Sequence, residues 1–390
     1  MKSRSTLSNA LPAAIVQDIR HTVNISDSIE MPSASAMKQI VRRIRKKELP
    51  SEPECSAALV IPHSLKTTRN GEKNFLLFDT KNGEMASENE MLLEDMRIIG
   101  FGTDDALRKL ANSHVWFLDG TFKTCPKLFH QIYTIHYMFH GHTFPAVYAL
   151  LPGKTQEIYA SMLELLISVA ETKGIELNPK FIIVDFELAS INALQHTFPN
   201  AKVTGCFFHL CQNIQRSIQK NGLVNIYKNN EDVALSIRKL SALAFLPPAE
   251  ICNAFSYLLS CAPCEAEVVY KYFGDTFVLG RSIAARRRGR PGRLTQRHPP
   301  RFPPSVWSIH HLQEYNLPRT NNNLEAWHRR FETVVERYHM GVFLMIKEFL
   351  KEEHRTQQEV ERIIAGSNQQ KKKKEKRTNP KGTATCYCYC

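Results

Sequence analysis

Apolar residues between 114 and 220 fall into short runs and longer helical stripes. Short runs bounded by turn residues predict strands at 115–118, 130–138, 143–151, 181–184 and 202–205. Apolar positions spaced three and four residues apart predict helices at 155–172, 189–196 and 207–219. The resulting order, β-β-β-α-β-α-β-α, predicts an α/β core.

The segments on either side of this core have patterns of their own. Residues 1–36 are polar and mixed, and we expect no regular structure there. Before the core, the sequence predicts a basic helix at 37–49, strands at 75–78 and 95–101, and a helix at 103–112 capped by Thr103. After the core, it predicts helices between 230 and 280, at 322–339 and at 343–364.

These patterns divide the chain into six parts. They are a disordered basic segment (1–55), an N-terminal extension (56–113), the core (114–221), a helical insertion with a basic loop at 284–304 (222–318), C-terminal helices (319–365) and a disordered basic tail (366–390). The predicted fold class is therefore an α/β core with an all-helical insertion and flanking disordered basic segments.

The positive charge of the chain is localised. The net charge is +13. Residues 284–304 carry +7 and residues 371–381 carry +6, so the rest of the chain is neutral overall. Such segments are either solvated runs or contacts with a polyanion. For DNA binding the candidates are Arg286, Arg287, Arg288, Arg290, Arg293, Lys371, Lys372, Lys373 and Lys374.

The lengths of the apolar runs and the spacing of the cysteines restrict the class of protein and its compartment. The chain has no run of 18 apolar residues and no apolar signal segment, so we expect no membrane partner and a cytosolic or nuclear protein. Its ten cysteines lack the spacing of a disulfide framework, which favours a reducing compartment. Cys261 and Cys264 form one CxxC pair without a second pair, so no zinc site is predicted there.

Two of the predicted core strands end in an aspartate. Asp119 and Asp185 each follow an apolar run, where an α/β sheet commonly displays its chemistry. Three carboxylates on converging elements can hold two Mg²⁺ ions for phosphodiester cleavage. Taken singly, Asp119 could open a turn, Asp185 could cap a helix, and Glu325 could complete a capping box with Asn322. The spacing alone leaves both readings open.

Five ordered blocks resemble one known family. They are residues 116–122 (WFLDGTF), 145–155 (PAVYALLPGKT), 183–187 (IVDFE), 206–209 (CFFH) and 319–328 (RTNNNLEAWH). Together they resemble the Mutator-like element (MULE) transposase domain, over a stretch from about Ser56 to about His354. The resemblance implies a ribonuclease-H-like DDE core, in which Asp119, Asp185 and Glu325 ligate Mg²⁺ or Mn²⁺. Cys206 and His209 match a motif near the active site, either as a packing pair or as a catalytic part.

The function that the resemblance implies is metal-dependent DNA cleavage and strand transfer in the nucleus. The alternatives are a catalytically silent, domesticated DNA-binding or regulatory protein and a decaying transposon gene. DNA is the expected partner, and the sequence is compatible with a homo-oligomer. Family members often carry an N-terminal zinc module that reads DNA. Because Cys55 is the only cysteine before Cys125, we expect this chain alone to have a weak sequence preference. Residues 288–291 resemble an AT-hook core, which would favour A·T-rich DNA.

Overall fold

The computed structural model of the chain describes residues 12–22, 32–47, 50–68, 71–82, 96–283, 286–287, 290–291, 296–315, 317, 322–335 and 340–366.

A seven-stranded mixed sheet forms the centre of the described fold. Its strands are β1 (Leu76–Asp79), β2 (Ile99–Phe101), β3 (Val115–Thr121), β4 (Gln131–Phe139), β5 (His142–Leu151), β6 (Phe181–Val184) and β7 (Lys202–Gly205). The order across the sheet is β1-β2-β5-β4-β3-β6-β7. Strand β4 runs antiparallel to both of its neighbours, β3 and β5, whereas β3, β6 and β7 are parallel to one another. The predicted α/β class is confirmed.

The helices follow the strands in the predicted alternation. They are α1 (Pro12–Thr22), α2 (Ala34–Lys47), α3 (His63–Lys66), α4 (Asp104–Ala111), α5 (Gln156–Thr172), α6 (Leu188–Thr197), α7 (Phe207–Lys220), α8 (Val224–Asn229), α9 (Glu231–Ala242), α10 (Pro248–Ser260), α11 (Glu267–Phe273), α12 (Pro304–Trp307), α13 (His310–Glu314), α14 (Asn322–Val335) and α15 (Val342–Ile364). None of these described helices combines the length and apolar character needed to cross a bilayer.

Local sequence signals account for several of these boundaries. The Thr103 hydroxyl accepts a hydrogen bond from the Ala106 amide and caps α4 as predicted, and Thr155 caps α5 in the same way. The turn between β4 and β5 places His140 at φ 48° and Gly141 at φ 78°. Two consecutive residues in this left-handed region are typical of a tight hairpin turn, which explains the sharp reversal.

The N-terminal segment differs from the expectation. Residues 1–36 were expected to have no regular structure, but Pro12–Thr22 is a helix and α2 already begins at Ala34. The apolar side chains of Ile15, Val16 and Ile19 are buried, and α1 packs against α2. The pairing of two short amphipathic helices is a tertiary effect, which a local composition argument does not capture.

Helix α14 is anchored to the sheet by aromatic packing. Along its apolar stripe the side chains of Leu324, Trp327, Phe331 and Val335 are buried. Rings of Tyr148 on β5 and Phe349 on α15 stack at a centroid distance of 4.7 Å. Phe331 stacks on the same Phe349 ring at 6.0 Å. These contacts hold α14 beside β5, although about a hundred residues of mainly helical chain separate α7 from α14.

The chain between α11 and α12 forms two short ribbons. Strand β8 (Ser282–Ile283) pairs with β11 (Gln296–Arg297), and β9 (Arg286–Arg287) pairs with β10 (Arg290–Pro291). Before them, Gly274–Val278 forms a π-helical turn. The segment expected to be a loop at 284–304 therefore contains paired backbone at its base.

Candidate functional site

The two predicted catalytic aspartates lie side by side at one edge of the sheet. Leu118 on β3 pairs with Val184 on the parallel strand β6, so the following residues, Asp119 and Asp185, reach the same level. The Gly120 amide donates to Asp119 Oδ1 at 2.8 Å, and the Phe186 amide donates to Asp185 Oδ1 at 2.5 Å. These bonds orient both carboxylates at the carboxyl end of the parallel strands.

His209 joins the same cluster from the next strand connection. Strand β7 is parallel to β6 and ends level with it, and α7 begins directly afterwards. His209 lies in the first turn of α7, and its Nδ1 is 3.2 Å from Asp185 Oδ1. Ligand atoms of Asp119, Asp185 and His209 lie within 4.8 Å of one another. This spacing fits a single metal ion held by two carboxylates and one imidazole.

The electrostatics of the cluster favour the ionised form of Asp119. Burial by itself raises the pKa of Asp119, but His328 and His209 outweigh it and hold that pKa below its usual value. Burial also lowers the pKa of His209, yet a hydrogen bond with Cys206 and the charges of Cys206, Asp185 and Asp119 raise it to about 10. The raised pKa of His209 therefore favours a positively charged imidazole beside Asp185.

Cys206 supports the start of α7. Its amide donates to the Val184 carbonyl at 2.8 Å, and it occupies the N-cap position of the helix with its side chain buried. The motif predicted near the active site is therefore adjacent to Asp185. The structure brings His209 into contact with the aspartate, whereas Cys206 lies behind it in the core.

His328 is a site residue that the sequence analysis did not assign. It lies on α14, and its Nε2 is 2.9 Å from Asp119 Oδ2. Its other ring nitrogen, Nδ1, is 3.0 Å from the Thr121 hydroxyl on β3. His328 therefore ties α14 to the end of β3 next to the aspartates. The sequence feature that could have identified His328 is its position three residues after Glu325, one helical turn along the same face.

Glu325, the predicted third acid, has its backbone in α14. Its side chain lies outside what the structure describes, so its distance from Asp119 and Asp185 stays a prediction. Its neighbours on the helix are described: Leu324 is buried in the core and His328 reaches Asp119.

Glu187 is a second residue that the sequence analysis quoted but did not assign. It follows Asp185 by two residues and accepts a hydrogen bond at 2.9 Å from the Tyr159 hydroxyl. Gln131 Nε2 in turn donates to that hydroxyl at 2.7 Å. Burial raises the pKa of the Glu187 carboxyl. These two hydrogen bonds hold the loop between β6 and α6 in place, and with it the backbone next to Asp185.

The predicted DNA-binding residues are not tested by these contacts. Arg286, Arg287 and Arg290 belong to the short ribbons, but their side chains are not described. The remaining candidates, Arg288, Arg293, Lys371, Lys372, Lys373 and Lys374, lie outside the described residues. Cys261 and Cys264 are exposed free cysteines. Within the described part of the chain, the group spaced for a metal ion is the one at Asp119.

Comparison with known proteins gives one family match, which covers part of the chain. No curated protein has a sequence that matches this chain. A family model does match, over a stretch that contains Asp119, Asp185, Cys206 and His209 but ends before α14 and Glu325. The match is thus shorter than the resemblance expected from the sequence blocks. Residues 115–213 of the chain match the family model of the MULE transposase domain.

Proposed function

We propose that the chain catalyses metal-dependent cleavage and transfer of DNA strands, as a MULE-type transposase or a domesticated relative of one. The observation that carries this proposal is the convergence of Asp119 and Asp185 at the ends of adjacent parallel strands, with ligand atoms of the cluster within 4.8 Å. The family match over the same residues supports it and makes DNA the expected partner.

The sheet supports a ribonuclease-H-like core. The five strands that support it lie in the order β5-β4-β3-β6-β7. Neighbouring strands among β5, β4 and β3 are antiparallel, whereas β6 and β7 lie on the other side of β3 and run parallel to it. In this arrangement Asp119, the proposed first acid, lies on the central strand β3, and Asp185, the proposed second acid, directly follows the parallel strand β6. The helices between α8 and α13 would then be an insertion between α7 and α14, which carries the third acid.

The donor set fits Mg²⁺ or Mn²⁺. Hard divalent cations prefer carboxylate oxygens, and the lowered pKa of Asp119 keeps that ligand ionised at neutral pH. Bound metal would activate the attacking oxygen and stabilise the leaving oxygen of a phosphodiester. His209 and His328 each place a ring nitrogen close to one aspartate, so nitrogen donors as well as carboxylate oxygens border the proposed metal position.

Glu325 is the proposed third ligand. His328 contacts Asp119 from the same face of α14, one turn further along the helix. The Thr121 hydroxyl and Asp119 together fix the His328 ring. In this proposal His328 positions α14 so that the carboxylate of Glu325 faces the two aspartates. The charged segments at 284–304 and 371–381 would hold the DNA backbone, and we place the activity in the nucleus.

Metal binding tests the proposal before any catalysis is required. The full chain is titrated with Mn²⁺, and bound metal is followed by electron paramagnetic resonance. We expect binding by the wild type and a loss of at least about tenfold in affinity for Asp119→Asn, because a ligating charge is removed. Asp232→Asn, at the start of α9, is the matched control. Equal Mn²⁺ affinity for Asp119→Asn and the control would overturn the proposed site.

A further inference from the structure

A cavity of about 600 Å³ lies beside the aspartate cluster. It reaches Phe186, the residue after Asp185, and Asn213 on α7. Its opposite wall comes from Tyr272 on α11, the π-helical turn and the segment from His298 to Phe302. Its volume lies within the range of about 300–1,000 Å³ that is usual for small-ligand sites.

The floor of the cavity is aromatic. The Phe186 ring packs edge-on against Phe277 at 5.4 Å and against Phe302 at 5.1 Å. Tyr272 is half-buried, and its ring packs edge-on against Phe277 at 6.1 Å. A half-buried tyrosine in a cavity wall offers a surface on which a flat heterocycle can stack.

The rim of the cavity is mainly cationic. Arg281 and Arg301 line it, with Asp275 as the acidic residue in the lining. Burial raises the pKa of Tyr272, while the charges of Arg216 and Arg301 oppose that rise, so both guanidinium groups act on the tyrosine. Arginines next to an aromatic ring provide the phosphate contact and the stacking surface that a nucleotide requires.

Helix α7 and the ribbon of β8 and β11 border the cavity on two sides. On α7, His209, Asn213 and Arg216 follow at helical spacing, so one helix face leads from the aspartates along the cavity. At the other end, Arg281 and His298 flank the pairing of β8 with β11, which closes the base of the arginine-rich segment. Gly280 allows the backbone at His298 to approach closely. Its φ is 75°, and a Cβ there would lie 1.8 Å from the His298 carbonyl oxygen.

We propose that this cavity binds one unpaired nucleotide of the DNA strand whose neighbouring phosphate lies at Asp119 and Asp185. The base stacks on Tyr272, and Arg281 and Arg301 contact the backbone. A paired base in a duplex hides both of its faces in the stack and presents only its edges, so a cavity with an aromatic wall favours an unpaired nucleotide. The inference rests on the proposed function for the position of the strand, but its test needs no catalysis.

The test measures binding of the full chain in EDTA, by fluorescence anisotropy, to two probes. One is a blunt DNA duplex, and the other is the same duplex with a short unpaired extension. The wild type should prefer the extended probe. Tyr272→Leu should lower affinity for the extended probe by about 5- to 150-fold, the range expected for loss of one base stack, and should leave the blunt duplex unaffected. Tyr272→Phe keeps the ring and should keep the preference.

Further variants keep the test informative if Tyr272→Leu fails to fold. Arg281→Gln combined with Arg301→Gln should reduce the preference for the extension and lower its salt slope by roughly 0.7 for each single-strand phosphate that is no longer neutralised. Tyr257→Leu, an exposed tyrosine on α10, is the control for removal of a ring elsewhere. An unpaired 2-aminopurine in the extension should be quenched by the wild type and by Tyr272→Phe.

The two proposals fail in different ways. Equal affinity of the wild type for both probes, or an unchanged preference in the folded Tyr272 and arginine variants, would overturn the nucleotide site and leave the metal site standing. A preference that depends on Tyr272, in a chain that neither binds Mn²⁺ nor nicks DNA, would support the cavity and refute the proposed catalysis.

Discussion

His328 and Asp119 meet across two distant parts of the chain, with Nε2 of the imidazole 2.9 Å from Oδ2 of the carboxylate. The contact joins the C-terminal helix α14 to the central strand β3. It also connects the residues inside the family match to a helix that lies outside it. Helix α14 therefore belongs to the site, although the family match ends before it.

Replacing His328 tests its positioning role. His328→Gln removes the imidazole that contacts both Asp119 and Thr121, and we expect DNA cleavage to slow by about 10- to 100-fold. The decrease should be smaller than that in Asp119→Asn, because the ligands remain. His354→Gln, exposed on α15, serves as the matched control. Cleavage at the control rate would show that the contact has no functional role.

Glu352 holds α14 in place from α15. Its carboxylate accepts a hydrogen bond at 2.8 Å from Trp327 Nε1 and forms a salt bridge with Arg330. Glu352→Ala leaves a buried indole donor and a guanidinium without this partner, so we expect urea denaturation to give a decrease of about 3 kcal/mol in unfolding free energy.

The control for Glu352 is Glu359→Ala on the same helix. Glu359 forms an exposed pair with Arg362 three residues later, and such pairs contribute less than about 1 kcal/mol. Equal unfolding free energies for the two variants would contradict an anchoring role for Glu352.

Glu353 predicts a pH dependence of stability. Burial raises its pKa above the ordinary value of 4.5, against the opposing hydrogen bond from Thr103. The folded state therefore holds this proton more tightly than the unfolded state. The contribution of Glu353 to stability is greatest below pH 4.5 and falls as the pH rises through its raised folded pKa.

The measurement is the unfolding free energy as a function of pH for the wild type and Glu353→Gln. The variant cannot ionise at this position, so it should lack that fall and gain stability relative to the wild type as the pH increases. Glu361→Gln, on the exposed side of the same helix, should follow the wild type. Parallel curves for the wild type and Glu353→Gln would contradict the assignment.

The charge localisation predicts where non-specific DNA affinity resides. Neutralising Arg286, Arg287, Arg288, Arg290 and Arg293 to Gln should flatten the dependence of log K on log salt, by roughly 0.9 for each duplex phosphate that is no longer neutralised. The matched control replaces five basic residues outside 284–304 and 371–381. A slope as steep as that of the wild type would mean that the arginines of 284–304 are solvated.

Local sequence patterns predicted most of the strands and helices that form the core. Apolar runs marked β3 and β6, a threonine cap marked α4, helical periodicity marked α5, and the aspartates at the strand ends indicated one edge of the sheet. These features depend on neighbours in sequence. The helix Pro12–Thr22 was not foreseen, because it is stabilised mainly by packing on α2.

The remaining parts of the site depend on contacts between distant segments. His328 reaches Asp119 only because α14 packs against β5, and Glu187 is fixed by Tyr159 from another helix. The cavity at Tyr272 takes part of its wall from His298, whose carbonyl oxygen lies against Gly280. Apart from the helical spacing between Glu325 and His328, no spacing in the sequence indicates these approaches, so the sequence could name the aspartates but not the contacts that orient them.

Cleavage of supercoiled DNA by the full chain in Mg²⁺ tests the proposed catalysis most directly. The wild type should nick the plasmid, EDTA should stop the reaction, and Asp185→Asn should abolish nicking while retaining DNA binding, because the swap keeps the size of the side chain but removes a ligating charge. Asp232→Asn should behave as the wild type. Nicking by Asp185→Asn at the wild-type rate, or DNA binding by the wild type without any metal-dependent nicking, would contradict the proposed function.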